Sequence, residues 1–321
     1  MFAGASTFTH NPHIRQLDPW RDGRALAALL ESAFAEEALE SDNRRLINAL
    51  RSYALWDALW LAAGTSFVWI EDGVLVGNAS IQRNPSQRDT WIVGNVATQA
   101  EYRNRGIGRA LVEACINYAA ARRARYVALQ VDATNAPARH LYEKLGFVPL
   151  VEVTQYVRAS LRGEPLPLMP PASLARHACH TDRQPLWELS RRVLPAALSF
   201  AEAVDDSVYR LGIRWSLVNA LNGNAEAWMV LPSQEGDALC AAARTRVNYD
   251  GAYHYFELLL APECSAEAGR LLALQALQRL ERFLPKPIFA AQPHPNPSAH
   301  QILCSCGFRP RRVLVHMRLE L

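Results

Sequence analysis

Two stretches carry residue types whose spacing could do chemistry. The first is Val96-Ala-Thr-Gln-Ala-Glu-Tyr-Arg103-Asn-Arg-Gly106-Ile-Gly108-Arg-Ala-Leu111, where a strand runs through a glycine-containing loop into an amphipathic helix. Amides of the loop and first helical turn lack intrahelical partners, and the helix dipole adds partial positive charge there. Gly106 and Gly108 remove Cβ atoms that would block an approaching phosphate, and Arg103, Arg105 and Arg109 supply full charges suited to a diphosphate. The second is Asn135-Ala-Pro-Ala-Arg-His-Leu-Tyr142-Glu-Lys-Leu-Gly-Phe147, a helix with an N-cap asparagine and a tyrosine on it. A phenol of ordinary pKa near 10 is neutral at physiological pH and can donate a proton.

Two other phosphate motifs do not fit. A Walker A loop needs Gly-Lys-Ser/Thr, which is missing. A dinucleotide fingerprint needs a third small residue where Leu111 stands, and a tighter strand-to-helix turn. The pattern Arg103-x-x-Gly106-x-Gly108, followed some 30 residues on by the Asn135–Phe147 block, resembles the coenzyme A motifs of the GNAT N-acetyltransferase superfamily over residues 12–158.

The resemblance implies a set of roles. Main-chain groups of Val96, Ala97 and Thr98 would pair with the pantetheine arm of acetyl-CoA, and one amide would polarise the thioester carbonyl. Arg103, Asn104, Arg105, Gly106, Ile107, Gly108 and Arg109 would hold the pyrophosphate. Asn135 would bond the pantetheine chain, Ala138 would leave room beside it, and Tyr142 would protonate the leaving thiolate. The residues alone leave alternatives open: Tyr142 as a core residue, Asn135 as a helix cap, the arginines as a solvated helix start. No position matches a family general base. Asp89 lies at the far end of the strand before the loop, Glu101 is in the loop, and Glu37 or Glu40 could reach in from the helical region, so none is assigned.

These stretches must be positioned by a regular alternation of elements. Ile14–Leu17 reads as a strand, and Leu26, Leu29, Leu30, Ala33 and Phe34 fall at helical spacing. A second helical stretch, about 42–63, carries Leu46, Leu50, Leu55, Leu59, Trp56 and Trp60. Phe67–Ile70, Asp72-Gly73 and Val74–Gln82 read as a β-hairpin, and Trp91–Ala97 as a strand. The helix opening at Ile107 has one apolar face, Tyr126–Val131 reads as a buried strand, 135–145 as a helix, and Phe147–Val157 as a final strand pair.

The plan then repeats. Asn296-Pro-Ser-Ala-His-Gln-Ile-Leu-Cys-Ser-Cys-Gly-Phe308 aligns without a gap on the 135–147 block, 161 residues away, and Arg176 stands to Arg15 at the same offset. The expected architecture is α/β, a mixed sheet with flanking helices in two tandem GNAT-like acyl-CoA acyltransferase domains: 1–160 binding acetyl-CoA, a Pro-rich linker at 161–174, and a degenerate unit at 175–321. In the second unit Ser265, Ala268 and Arg270 lie about opposite Arg103, Gly106 and Gly108, and Leu303 replaces Tyr142. That unit is expected to wall the acceptor cleft rather than bind coenzyme A. Tyr249, Tyr253 and Tyr255 alternate as along a strand, and either line a cleft or pack.

Composition narrows the class. The chain has 321 residues, 50% hydrophobic and 20% charged, with net charge +3, which gives no reason to expect nucleic acid or a membrane surface as partner. No apolar run is long enough to span a bilayer, the N-terminus does not read as a signal peptide, and 6 cysteines are too few for a disulfide scaffold. A reducing cytoplasm is the expected location. Cys304, Cys306, His294 and His300 match no metal spacing, so no metal is expected. Arg122-Arg123-x-Arg125 and Arg309-x-Arg311-Arg312 read as solvated clusters. The expected activity is acetyl transfer from acetyl-CoA to the primary amine of a small molecule by direct attack in a ternary complex, by a monomer or homodimer. The alternatives are a non-catalytic acetyl-CoA sensor, or a peptide or protein N-acetyltransferase docking through the second domain.

Overall fold

The computed structural model describes residues 11–34, 64–84, 86–167, 175–200, 209–212, 224–233, 238–249 and 251–321. The expected helix at 42–63 with Trp56 and Trp60, the acids Glu37 and Glu40, and the end of the Pro-rich run lie outside these residues.

The first half runs β1 (Ile14–Gln16), α1 (Pro19–Ala33), β2 (Gly64–Glu71), β3 (Val74–Arg83), β4 (Thr90–Thr98), α2 (Ile107–Ala120), β5 (Tyr126–Asp132), α3 (Ala136–Lys144) and β6 (Val148–Arg158). The second runs β7 (Arg176–His177), α4 (Arg183–Val193), β8 (Asn224–Pro232), β9 (Leu239–Asn248), β10 (His254–Leu260), α5 (Ala266–Gln278), β11 (Ile288–Pro293), α6 (Pro297–Ser305) and β12 (Arg309–Glu320). Among the described residues the twelve strands join one sheet in the order β1-β2-β3-β4-β5-β12-β6-β11-β10-β9-β8-β7.

That order differs from two adjoining sheets. The last strands of the halves are exchanged: β12 pairs antiparallel with β5, and β6 with β11. Phe147–Val157 is thus one long strand rather than a pair, and its neighbour comes from the far end of the chain. β6 and β12 also pair with each other, with register shifts at Pro310/Arg312 and at His316/Met317. Tyr156↔Pro310 and Met317↔Pro149 are the same pair under the 161-residue offset, so even the irregularities obey a two-fold relation.

Local chemistry explains the repeats. Asn135 and Asn296 cap α3 and α6 by accepting from Ala138 N at 3.1 Å and Ala299 N at 3.0 Å. Gly146 and Gly307 end those helices at φ +90° and +86°, where a Cβ is unfavourable. Arg15 grips Asp22 with two bonds of 2.6 and 2.8 Å, and Arg176 grips Asp182 with the same two lengths. Each carboxylate also accepts a backbone amide at the start of its helical region, from Asp18 and from Cys179.

α2 buries Ile107, Leu111, Val112, Cys115 and Ala119 against the sheet, one face at helical spacing. On the opposite face α1 packs Leu26, Ala27, Leu29 and Leu30 on Val68, Leu75 and Ala97. The halves are further tied where Asn84 Nδ2 donates to Ser199 O and Phe200 O, and where Arg318 stacks on both Tyr126 and Phe200. Arg158 is 1% exposed; its guanidinium donates to Cys306 O, Ala159 O and Glu164 O, which fixes the start of the linker.

Candidate active site

β4 decides the site. It pairs parallel with β5 only from Thr90↔Tyr126 to Val93↔Leu129, and beyond that the strands part. The parting coincides with a bulge: Asn78 pairs with Ala97 and Ser80 with Gly94, so Asn95 and Val96 together oppose Ala79. Asn95 sits at φ +51°, a conformation asparagine tolerates better than most residues. Asn78, fully buried, donates from Nδ2 to Asn95 O at 2.9 Å and holds the bulge open. This role was not read from sequence, because an asparagine inside a strand gives no signal of the bulge it supports.

The parting opens a cleft of about 930 Å³, within the size range of small-molecule sites. Val96, Ala97, Thr98, Arg103, Asn104, Gly106, Ile107, Gly108, Arg109, Asn135, Ala138 and Tyr142 all line it. Arg105 does not. Its guanidinium lies 5.0 Å over the Tyr102 ring and donates to Glu101 O, outside the cleft.

At one end stands the N-terminus of α2. Its cap is Gly106 at φ +80°, with no side chain bonded to the first-turn amides. Asn104 is also left-handed, at φ +62°. A Cβ on Gly106 would meet nothing within 4 Å, and one on Gly108 would only touch Leu141 and Thr98 at 3.8 and 3.9 Å. An uncapped helix start over open space, with Arg103 and Arg109 beside it, suits a diphosphate. The pyrophosphate of acetyl-CoA therefore fits these residues.

The facing wall is α3. Tyr142 is 6% exposed and packs edge-on to Phe147 at 5.9 Å. Burial, with the neighbouring Cys115, pushes its phenol up to about 12, so it holds its proton across the physiological range. Asn135 caps its helix and lines the cleft at once.

Beyond the parting the cleft reaches the α1 side of the sheet. Leu129 and Val131 face the α2 core, so the alternating Gln130 and Asp132 face the other way. Asp132 pairs with Leu314 on β12, and Ala33 and Phe34 from the end of α1 close the same space. Gln130, Asp132, Arg312 and Leu314 are lining residues that sequence reasoning missed. Arg312, taken there for a solvated charge, lines the cleft because β12 is exchanged into the first half. Asp89 is distant, its carbonyl bonded to Arg125 N and Tyr126 N at the start of β5; Glu101 is exposed in the turn after β4.

The second half lacks these features. Residues 261–265, five in number, join β10 to α5, against eight at 99–106. The caps therefore align Ser265 with Gly106 and Glu267 with Gly108, rather than Ser265 with Arg103. Ser265 Oγ accepts from Ala268 N at 3.2 Å, occupying the amide an anion would use. β10 pairs with β9 without a bulge, and Leu303 takes the place of Tyr142: Phe308 N donates to Leu303 O as Phe147 N does to Tyr142 O. A smaller cleft of about 410 Å³ remains, lined by Arg244, Arg246, Glu257 and Tyr255 among others. Of the three tyrosines read as a strand pattern only Tyr255 lies in β10; Tyr249 follows β9 and Tyr253 precedes β10.

Residues 24–147 match the Acetyltransferase (GNAT) family. The first half is a GNAT-family domain. Among curated proteins, the chain is 30% identical to a mycothiol acetyltransferase of Acidothermus cellulolyticus, over 44% of this chain and 46% of that protein. It is 36% identical to one of Corynebacterium glutamicum over 25% and 27% respectively, so it spans less than half the length of these relatives. It is also 28% identical to an L-2,4-diaminobutyric acid acetyltransferase of Virgibacillus pantothenticus, over 30% of this chain and 59% of that one.

Two solved structures share the whole architecture. One is a GCN5-related N-acetyltransferase from Sphaerobacter thermophilus, with TM-score 0.68 and 15% identity over 96% of this chain and 95% of that one. The other is a tandem GNAT protein from the clavulanic acid biosynthesis pathway, with TM-score 0.62 and 18% identity over 96% and 98%. At such identity they speak for the fold, a tandem arrangement of two GNAT units. Among the described residues no helix is long and apolar enough to cross a membrane, and no group of His, Cys, Asp and Glu could hold a metal ion.

Proposed function

We propose that this chain is an N-acetyltransferase that moves an acetyl group from acetyl-CoA to a primary amine by direct attack in a ternary complex. The units divide at 1–160 and 175–321, and the second does no chemistry. The observation that carries the reading is one cleft lined by a bulged, parted β4, an uncapped α2 N-terminus and a neutral buried phenol.

Acetyl-CoA supplies the activated acetyl thioester when bound. The edge of β4 released from β5 over 94–98 offers main-chain groups to an extended arm, and an amide there can stabilise negative charge on a carbonyl oxygen. The first turn of α2, with Arg103 and Arg109, would hold the pyrophosphate. Tyr142 keeps a proton at Oη and can donate it as a hydrogen bond toward the departing sulfur. Catalysis would come mainly from positioning and from these preset donors.

A calorimetric titration with acetyl-CoA tests the reading. One site per chain is expected, with Tyr142→Phe binding as the native protein does and turning over far more slowly. A sensor, the competing reading, would show equal output from both proteins. Two sites, or none, would reject this account of the halves.

A further inference from the structure

Away from the first cleft, the second half brings two cysteines into contact. Cys240, the second residue of β9, and Cys264, in the turn between β10 and α5, hold their Sγ atoms 3.5 Å apart. Both are free thiols, and neither is fully buried. A disulfide needs its sulfurs about 2.05 Å apart, so closing the gap takes a local shift of about 1.5 Å.

The backbone keeps the pair in place. Ala261 N donates to Cys240 O at 2.9 Å, extending the β9–β10 ladder, and Cys264 N donates to Ala261 O at 3.0 Å, which turns the chain back beside it. Arg192 on α4 ties the residues that precede the two cysteines. Its Nη2 donates to Leu239 O at 2.8 Å and lies 3.0 Å from Glu263 Oε1.

The fold does not call for sulfur here. In the first half Gln99 N donates to Val76 O and Tyr102 N to Gln99 O, at the same two lengths. Val76 and Tyr102 therefore occupy the equivalent places, packed into one apolar cluster. The same matching sets Ser265 against Gly106, so the three residues that the second loop lacks are the counterparts of Arg103, Asn104 and Arg105. The shortened loop ends its turn at Cys264, directly before the Ser265 cap.

We propose that Cys240 and Cys264 are an oxidisable pair, a modification site that takes a small-molecule disulfide as its oxidant and closes into an intrachain disulfide. The Cys240 thiolate attacks one sulfur of the oxidant, forming a mixed disulfide and releasing one small thiol. Cys264 then gives its proton to solvent and attacks the Cys240 sulfur, releasing the second small thiol. Two protein thiols become one disulfide, the oxidant becomes two thiols, and a reducing dithiol reverses both steps. Burial and the contact with Cys240 push the Cys264 thiol well above its ordinary value, which suits it to react second. In a reducing compartment the pair stays open and closes on oxidation. The bond staples β9 to the loop that leads into α5, so oxidation stabilises the second half.

The test incubates the reduced, folded, full-length protein with oxidised glutathione, then alkylates and digests it for mass spectrometry. Two fragments joined through Cys240 and Cys264 are expected, whereas the exposed Cys179 carries a single glutathione adduct. The effective concentration of one thiol at the other, read from the glutathione equilibrium, should be at least about tenfold greater in the folded protein than in urea. The linked form should melt several degrees above the reduced form, a gain that a dithiol reverses and that Cys240→Val and Cys264→Ser both lack. Separate glutathione adducts on Cys240 and Cys264 would overturn the proposal, as would free thiols at both while Cys179 reacts. So would an effective concentration no greater than in urea, or a linked form that melts no higher. None of these readouts involves acetyl transfer, so the outcome is independent of the activity proposed above.

Discussion

Val153 and Leu314 face each other across β6 and β12, and each is the other's equivalent in the repeat, 161 residues apart. The pseudo-two-fold axis passes through this pair. Leu314, from the second half, lines the first cleft, and Val153, from the first half, lines the second. Each half therefore finishes the other's cleft.

Tyr142 gives the first prediction. Tyr142→Phe should lower kcat by about a hundredfold, within the range of general-acid effects, while acetyl-CoA affinity holds. With its phenol raised to about 12, the residue stays protonated and native kcat should not fall near pH 10 on its account. The stability sign follows. A phenol at about 10 unfolded and about 12 folded contributes fully below pH 10, and that contribution is lost between pH 10 and 12. Urea titrations at pH 9 and pH 11 should show a smaller loss in Tyr142→Phe than in the native protein.

Gly108 separates binding from folding. Its Cβ direction meets only ordinary contacts, Leu141 at 3.8 Å and Thr98 at 3.9 Å, so a Cβ there needs no shift of its neighbours and the rest of an added side chain is directed at the cleft that Gly108 lines. Gly108→Leu should weaken acetyl-CoA by about tenfold or more and change folding stability by less than about 1 kcal/mol. Gly106 makes a poorer probe because its φ of +80° strains any substitution. Unchanged affinity in Gly108→Leu would place the pyrophosphate elsewhere.

The glycine loop before α2, the capped helix that carries Tyr142, the 161-residue repeat and the mixed sheet were legible because each leaves a local mark: glycines before a helix, a capping asparagine, one constant offset. Asn78 was not legible, since the bulge it supports depends on which strands pair. Arg312 was hidden for a stronger reason. Its position in the first cleft depends on the exchange of β12 for β6, and no local pattern reports which copy of a repeated strand a neighbour selects. The correspondence of Ser265 failed because a constant offset cannot show that the loop before α5 is three residues shorter.

Asp182 carries an acid-stability prediction. The Arg176 bonds, together with the Cys179 amide, outweigh burial and hold its carboxyl at about 2. A depressed carboxylate contributes stability above its unfolded value near 4 and loses it as pH falls toward 2. Because Arg176 is about half exposed, 47% by side chain, the effect is discounted to about 1–2 kcal/mol at pH 7. Asp182→Asn should lose that amount at pH 7 and almost nothing at pH 2, measured by chemical denaturation. Asp22, lowered by Arg15 and the Asp18 amide against the opposing effect of burial, should behave alike in the first half.

The exchanged strand makes the last prediction. A chain stopped before Arg309 loses β12, which contributes the ladders from Leu314↔Asp132 to Glu320↔Tyr126 and from Arg309↔Val157 to Arg318↔Val148. β5 and β6 would then each present an unpaired edge, and Val315 and Met317, 2% and 1% exposed, would leave the first core. Two buried side chains of that size cost several kcal/mol, comparable to the whole stability of a domain. The shortened chain should aggregate on expression. Adding a peptide of residues 309–321 during refolding should restore a folded, acetyl-CoA-binding species, because the slot between β5 and β6 accepts a strand without a covalent link. A soluble, fully active chain lacking residues 309–321 would show that the first half closes its own sheet and does not depend on the exchange.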